Sequence, residues 1–236
     1  MTEDHWTMTL RMPHEEVAER TQHEKERAER RGTEAMSVLH WPTKITENLL
    51  LEISHANPGK FELTADGTLL ITPPTSSTGS LGESSFHEQV KAWARVHDPD
   101  GFVLPASGGI THPDDGIWSP DTTYVSAKTY DRASDADLAR AFWRLVPDAV
   151  FELMSETDAI GSEKYDLKIK AYRENDLPLI VVLDPEAQRT LTARNGGPFE
   201  ENFDLMLDLG SHMPEFVLDV GAVFEAEQKR PRKPRS

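Results

Sequence analysis

No cysteine occurs among the 236 residues, which rules out a disulfide framework and any thiolate metal site. No stretch approaches the eighteen or so consecutive apolar residues needed to cross a bilayer. The opening residues, MTEDHW, lack the apolar core of a secretory signal, so the cytoplasm is the expected address and no membrane partner is expected. Positive charge is scarce: 25 Lys and Arg face 41 Asp and Glu, a net charge of −16. That balance argues against a protein that holds nucleic acid by overall charge, because phosphate contact rewards clustered Lys and Arg. It leaves room for a carboxylate-rich cleft that meets phosphate through a bridging divalent cation. It also leaves room for a local basic patch, and residues 229–235 (KRPRKPR) carry five positive charges. The nine histidines show no HExxH spacing, and no Walker-type lysine follows Gly108-Gly109, so neither a zincin helix nor a phosphate loop is expected. His87 and His97, which flank Trp93, read as surface groups.

What is present fits a globular chain: 37% of residues are apolar and 28% charged. The length suits one large α/β domain with extensions, or two small domains. Residues 14–31 mix charges, with Glu16/Arg20 and Glu26/Arg30 in the favourable acid-first spacing of an exposed helix ending near Gly32. Phe61–Leu63 and Leu69–Ile71 flank Asp66-Gly67 and predict a β-hairpin. Residues 73–82, rich in Ser, Thr, Gly and Pro, read as a loop. A helix over 83–96 follows, with Phe86, Val90, Trp93 and Val96 on its apolar face. Strands are predicted at 102–104 and 122–125, with a turn-rich stretch between them. A helix is predicted over 135–146, aligning Leu138, Phe142 and Leu145. A strand at 149–154 and a helix from Ser162 to about residue 175 come next. The run Leu179–Leu183 is a buried strand, returning through residues 189–193, and Phe216–Leu218 reads as an edge strand. The order predicts an α+β domain, a mixed sheet flanked by helices, over 46–225. It is preceded by a charged, partly helical extension (1–45) and followed by a basic tail (226–236).

Three residues stand out chemically. Glu152 interrupts an otherwise apolar strand, so its carboxyl must be protonated, paired or bound to a metal. Asp121 follows Ser119-Pro120 at the entrance of another strand, where Asp ordinarily serves a turn. Two carboxylates brought together on neighbouring strands repel unless a cation takes up their charge, and oxygen ligands without cysteine point to Mg²⁺ or Mn²⁺. Lys168 borders the stripe Tyr165, Ile169, Tyr172 of the helix beginning at Ser162, from where its ammonium reaches the strand ends. Lys164 and Lys170 are its competitors. Ser155 has no identifiable base, and Asp158 reads as a residue that orders the loop before the lysine helix.

These motifs, in this order, resemble a known family. FELTADGTLLITPPT, Ser107-Gly108-Gly109, the turn from Pro113 to Gly116, SPDTTYV, VPDAVFELMSETD and YDLKIKAYRENDLPLIVVLDP are similar to successive segments of the Uma-two family of restriction-endonuclease-like proteins, a bacterial branch of the PD-(D/E)XK nucleases. The resemblance implies a restriction-endonuclease-like fold and Mg²⁺-dependent (or Mn²⁺-dependent) hydrolysis of DNA to a 5′-phosphate and a 3′-hydroxyl. Asp121 and Glu152 match the metal-binding acids, joined by the backbone carbonyl of Leu153. Met154 stands where many superfamily members carry the motif lysine; Lys168 matches a variant that moves it to the next helix. A further acid on the first helix falls to Glu83, with Glu88 as alternative. Trp118 stands where a basic residue is common. Related nucleases often cut as homodimers, although no interface is legible in this sequence. Two other readings stay open: a nuclease-fold binding or regulatory module with little hydrolysis, and a metal-dependent hydrolase of a small phosphorylated molecule.

Overall fold

A computed structural model describes residues 37–40, 45–56, 59–72, 74–154 and 163–228. The predicted helix over 14–31 with its end at Gly32, Ser155, Asp158, the cap at Ser162 and the basic run 229–235 fall outside these residues.

Two six-stranded sheets carry the fold. The first opens with β1 (Ser37–His40), followed by helix α1 (Glu47–Ala56) and the hairpin β2 (Lys60–Leu63) and β3 (Thr68–Thr72). The hairpin matches the prediction: Gly67, at φ +89°, closes a three-residue loop in which its N–H bonds Thr64 O at 3.0 Å. Short strands β5 (Ile110–Thr111), β6 (Ile117–Trp118) and β8 (Trp143–Arg144) complete this sheet in the order β1-β3-β2-β6-β5-β8. The second sheet contains β4 (Phe102–Pro105), β7 (Thr122–Val125), β9 (Ala149–Leu153), β10 (Leu179–Asp184), β11 (Arg189–Arg194) and β12 (Glu200–Asn202), ordered β12-β11-β10-β9-β7-β4. Only β9 and β10 run parallel within it, joined through a helix at Glu163–Glu174; that is the connection a parallel pair demands. The six residues of β10 are all buried, as their unbroken apolar run predicts.

Several expectations fail for local reasons. Helix α2 spans Ser77–His97 and so begins inside the stretch read as a loop. Ser76 caps it by accepting from Gly79 N at 3.1 Å. Gly82 is there for packing, because a Cβ at that position would lie 2.7 Å from Leu153 Cδ2. Val96, placed on the apolar face by its spacing, is 74% exposed, since that stripe runs from Phe86 through Val90 to Trp93 and turns away before residue 96. The predicted helix 135–146 stops at one turn, α4 (Asp135–Leu138), after α3 (Ala127–Arg132). Leu145 N instead bonds Thr111 O at 3.1 Å and Trp143–Arg144 joins β5, so a sheet edge outcompetes the helical spacing. Residues 217–219 do form a strand (β14), but it pairs with β13 (Met206–Asp208) in a separate two-stranded sheet. Helix α6 (Val220–Glu227) follows it.

The period-two alternation of β9 and β10 sorts the core. Ala149, Phe151, Leu153, Leu179, Val181 and Leu183 pack with Phe86, Val90 and Trp93 of α2 and Val223 and Phe224 of α6. Val150, Met154, Ile180 and Val182 turn to the other face, where Ile169 and Tyr172 of α5 (Glu163–Glu174) meet Leu70 and Trp118 of the first sheet. In the first sheet Phe61, Leu63 and Leu69 pack with Leu50 of α1. The alternate positions of β2, Lys60 and Glu62, therefore turn away from α1, toward α5.

Candidate active site

Where β7 and β9 diverge, the two acids singled out by sequence come level. The antiparallel register pairs Thr122 with Phe151, which sets Asp121 opposite Glu152. The β7 ladder ends there, and Asp121 Oδ2 accepts the next free amide, Leu153 N, at 2.9 Å. Its other oxygen, Oδ1, lies 2.6 Å from Lys60 Nζ. Glu152 points to the α5 side, as the alternation of β9 dictates. Its Oε1 accepts from Tyr172 OH at 2.6 Å and from Lys168 Nζ at 2.7 Å. Lys168 does not reach out to solvent. It is 5% exposed and makes a second ion pair, 3.1 Å from Glu62 Oε1. Glu62 is 0% exposed; the same oxygen accepts from Ser119 N at 2.9 Å, and Oε2 has no hydrogen-bond partner.

The structure thus brings Asp121, Glu152 and Lys168 together and adds two residues of β2, Lys60 and Glu62, that sequence reasoning missed. A signal for them existed. Lys60 and Glu62 alternate with Phe61 and Leu63, so one face of the hairpin's first strand is charged while the other is apolar. The strand pattern alone does not say what covers the charged face. Of the competitors of Lys168, Lys164 is buried and donates to Thr72 Oγ1 at 2.7 Å; Lys170 is exposed and pairs with Glu174. Glu83 is half-buried on α2, where its Oε1 accepts from Thr75 Oγ1 at 3.0 Å; Glu88 is exposed. His87, expected at the surface, is half-buried and bonded to Thr122 Oγ1 at 3.0 Å, because α2 lies across the start of β7. Trp118 is buried, edge-on to Tyr172.

Charge and burial oppose each other throughout the cluster. Burial alone would raise the Asp121 carboxyl, but the ammonium groups of Lys60 and Lys168 and the Leu153 N–H hold it below the usual range. For Glu62, too, burial is outweighed, by Lys168, Lys60 and Lys164. Glu152 goes the other way: burial, reinforced by the negative charges of Asp121 and Glu62 and only partly opposed by Lys168 and Lys60, pushes it up to about 7. Burial and the charge of Asp121 also raise Glu83. Lys168 stays protonated because Glu152, Glu62 and Asp121 together overcome its burial.

Among the described residues no three His, Asp or Glu side chains converge closely enough to enclose a metal ion by themselves. A hydrated divalent cation needs fewer. Mg²⁺ keeps several waters and commonly takes one or two carboxylates plus substrate oxygens. The donors here are all oxygens, and the buried, unpartnered Oε2 of Glu62 marks an excess of acceptors over donors in the cluster. The residues therefore fit a hard cation.

Comparison with known proteins bears on family and fold. The family model described as "Uma2: Putative restriction endonuclease" matches residues 46–218. The chain is similar to a crystal structure from Anabaena variabilis described as a "putative nuclease belonging to DUF820", with a TM-score of 0.62 and 15% identity, covering 78% of this chain and 99% of that one. At that identity the likeness bears on the fold. No curated protein matches. No described helix is long and apolar enough to cross a membrane.

Proposed function

Because the chain belongs to the Uma2 family of restriction-endonuclease-like proteins, we propose that it is a divalent-metal-dependent endonuclease acting on DNA, with its active centre at Asp121, Glu152 and Lys168. The observation that carries this reading is the pairing of the two acids across β7 and β9, beside a buried lysine held by the carboxylates of Glu152 and Glu62. Asp121, Glu152 and the backbone carbonyl of Leu153 would hold the cation, Mg²⁺ or Mn²⁺. When bound there it supplies Lewis-acid stabilisation of the charge that develops on the scissile phosphate.

The protein groups have separable tasks. Lys168 spends two of its three N–H donors on Glu152 and Glu62, leaving the third for the attacking water or a phosphate oxygen. Its two anchors keep that donor in one place, which is what positioning requires. Tyr172 fixes the Glu152 carboxyl from beneath. Glu83, close enough to Asp121 for their charges to interact, is the further acid of the centre. The burial of Asp121, Glu62 and Lys168 keeps their charges from being screened by water.

Plasmid nicking in Mg²⁺ tests the assignment: Asp121→Asn and Glu152→Gln each abolish it while circular dichroism stays that of the parent. Unchanged cleavage in both variants removes the assignment. The net charge of −16 favours one other reading, a nuclease-fold binding module without hydrolysis. Calorimetry separates the two, since that module predicts neither Mn²⁺ binding nor nicking.

A further inference from the structure

Two ammonium groups serve the carboxylate cluster, and they are held unequally. Lys168 touches two carboxylates, at 2.7 and 3.1 Å, and its side chain is 7% exposed. Lys60 touches one, Asp121 Oδ1 at 2.6 Å, and its side chain is 19% exposed. A divalent cation that takes Asp121 as ligand must compete with the ammonium already on that oxygen. The other oxygen already accepts from Leu153 N, and at either oxygen a cation would feel the charge of the ammonium beside it. Of the two lysines, the one with a single ion pair and the more open side chain gives way.

We propose that Lys60 is an exchangeable counter-ion of the centre: a cation entering on Asp121 displaces its ammonium, which then binds a phosphate oxygen of the nucleic-acid substrate. The inference rests on the assignment of Asp121 as a cation ligand. The backbone under Lys60 does not have to move. Strand β2 pairs with β3 on one side and β6 on the other, and its first residue follows Gly59, whose φ of +122° and close approach to Thr72 O set the entry of the strand. Only the four-carbon stem swings, and a compact ammonium on a flexible stem is a good point-charge ligand for phosphate. The exchange also gives an acidic protein a way to gain positive potential at the cleft only once the cation is in place.

The test is a Mn²⁺ titration by calorimetry of the full chain and of Lys60→Met, which keeps the stem but removes the competitor. The variant is expected to bind Mn²⁺ about tenfold more tightly, equivalent to ~1.4 kcal/mol of relieved competition. In Ca²⁺ it is expected to bind a short duplex DNA more weakly than the parent. Equal or weaker Mn²⁺ affinity in the variant overturns the inference while leaving the Asp121 assignment intact. If neither protein takes up Mn²⁺, the Asp121 assignment fails and the inference goes with it. A second measurement needs no variant. Acetylation of Lys60 in the parent, followed by mass spectrometry, accelerates on addition of Ca²⁺ and slows again when DNA is added. A Lys60 rate indifferent to Ca²⁺ refutes the exchange.

Discussion

Replacing Lys168 by Met would test whether the cluster is as interdependent as its geometry indicates. The Met side chain keeps most of the packing of the lysine stem against α5 and the sheets, so the change isolates the ammonium. That ammonium sits 2.7 Å from Glu152 Oε1 and 3.1 Å from Glu62 Oε1. At an effective dielectric of ~20, the two contacts amount to ~6 and ~5 kcal/mol of attraction before desolvation is counted. After desolvation, breaking a buried pair typically costs ~3–5 kcal/mol, because a buried charge is left uncompensated. A loss of that size is expected at pH 8.5, where both acids are ionised. The two acids then fade at different pH. Glu152 is raised to about 7, above its value in the unfolded chain. Its ionisation therefore works against the fold as pH rises toward and through 7, and Lys168 is what limits that cost. Below pH 7 the carboxyl is protonated with or without Lys168, and its share of the loss disappears. Glu62 is lowered, because its lysines outweigh its burial. Its stabilising share is present above the unfolded value and is lost only as pH falls through the folded one, so it persists at pH 6 and fades in stronger acid. Urea unfolding of both proteins at pH 8.5, 6 and 4 reads this out. A difference below ~1 kcal/mol at pH 8.5, the worth of an exposed pair, refutes the reasoning, and so does a difference that does not change with pH.

Two smaller perturbations probe what holds the centre in place. Tyr172→Phe removes the hydroxyl of a buried ring that donates to the half-buried Glu152 at 2.6 Å and should cost ~1–3 kcal/mol; an unchanged thermal midpoint would mean that the bond contributes nothing. Gly59→Ala places a side chain at φ +122° with its Cβ 2.6 Å from the carbonyl oxygen of Thr72, which should cost ~1–3 kcal/mol. Because Gly59 leads directly into Lys60, the same variant should weaken DNA binding in Ca²⁺, and a variant as stable as the parent would show that the hairpin entry relaxes freely.

Much of the architecture could be read from local pattern. The hairpin at Asp66-Gly67, the buried strand at 179–183 and the helix carrying Lys168 each depend on short-range periodicity or turn chemistry, and each is found. The failures share a cause. Residues 135–146 have helical spacing, yet Trp143 and Arg144 pair with β5 and become the edge strand of its sheet. Residues 77–82 look like a linker, yet a serine cap and two closely packed glycines make them the first turns of α2. In the first a partner distant in the chain overrode the local preference; in the second the local cap at Ser76 joined the packing of Gly82 against Leu153.

Motif order pointed to the family, and period-two and helical patterning singled out three of the charged residues that the fold brings together, Asp121, Glu152 and Lys168. Those depend on which side chains exist and how they are spaced along single elements. Lys60 and Glu62 were settled only when the first sheet closed over α5. From the sequence they are polar positions of a hairpin, and nothing within β2 says that the face carrying them would meet the charges of Asp121, Glu152 and Lys168. Pairing across about sixty residues of chain is a property of how the sheets stack, because the energy of a buried ion comes from what surrounds it.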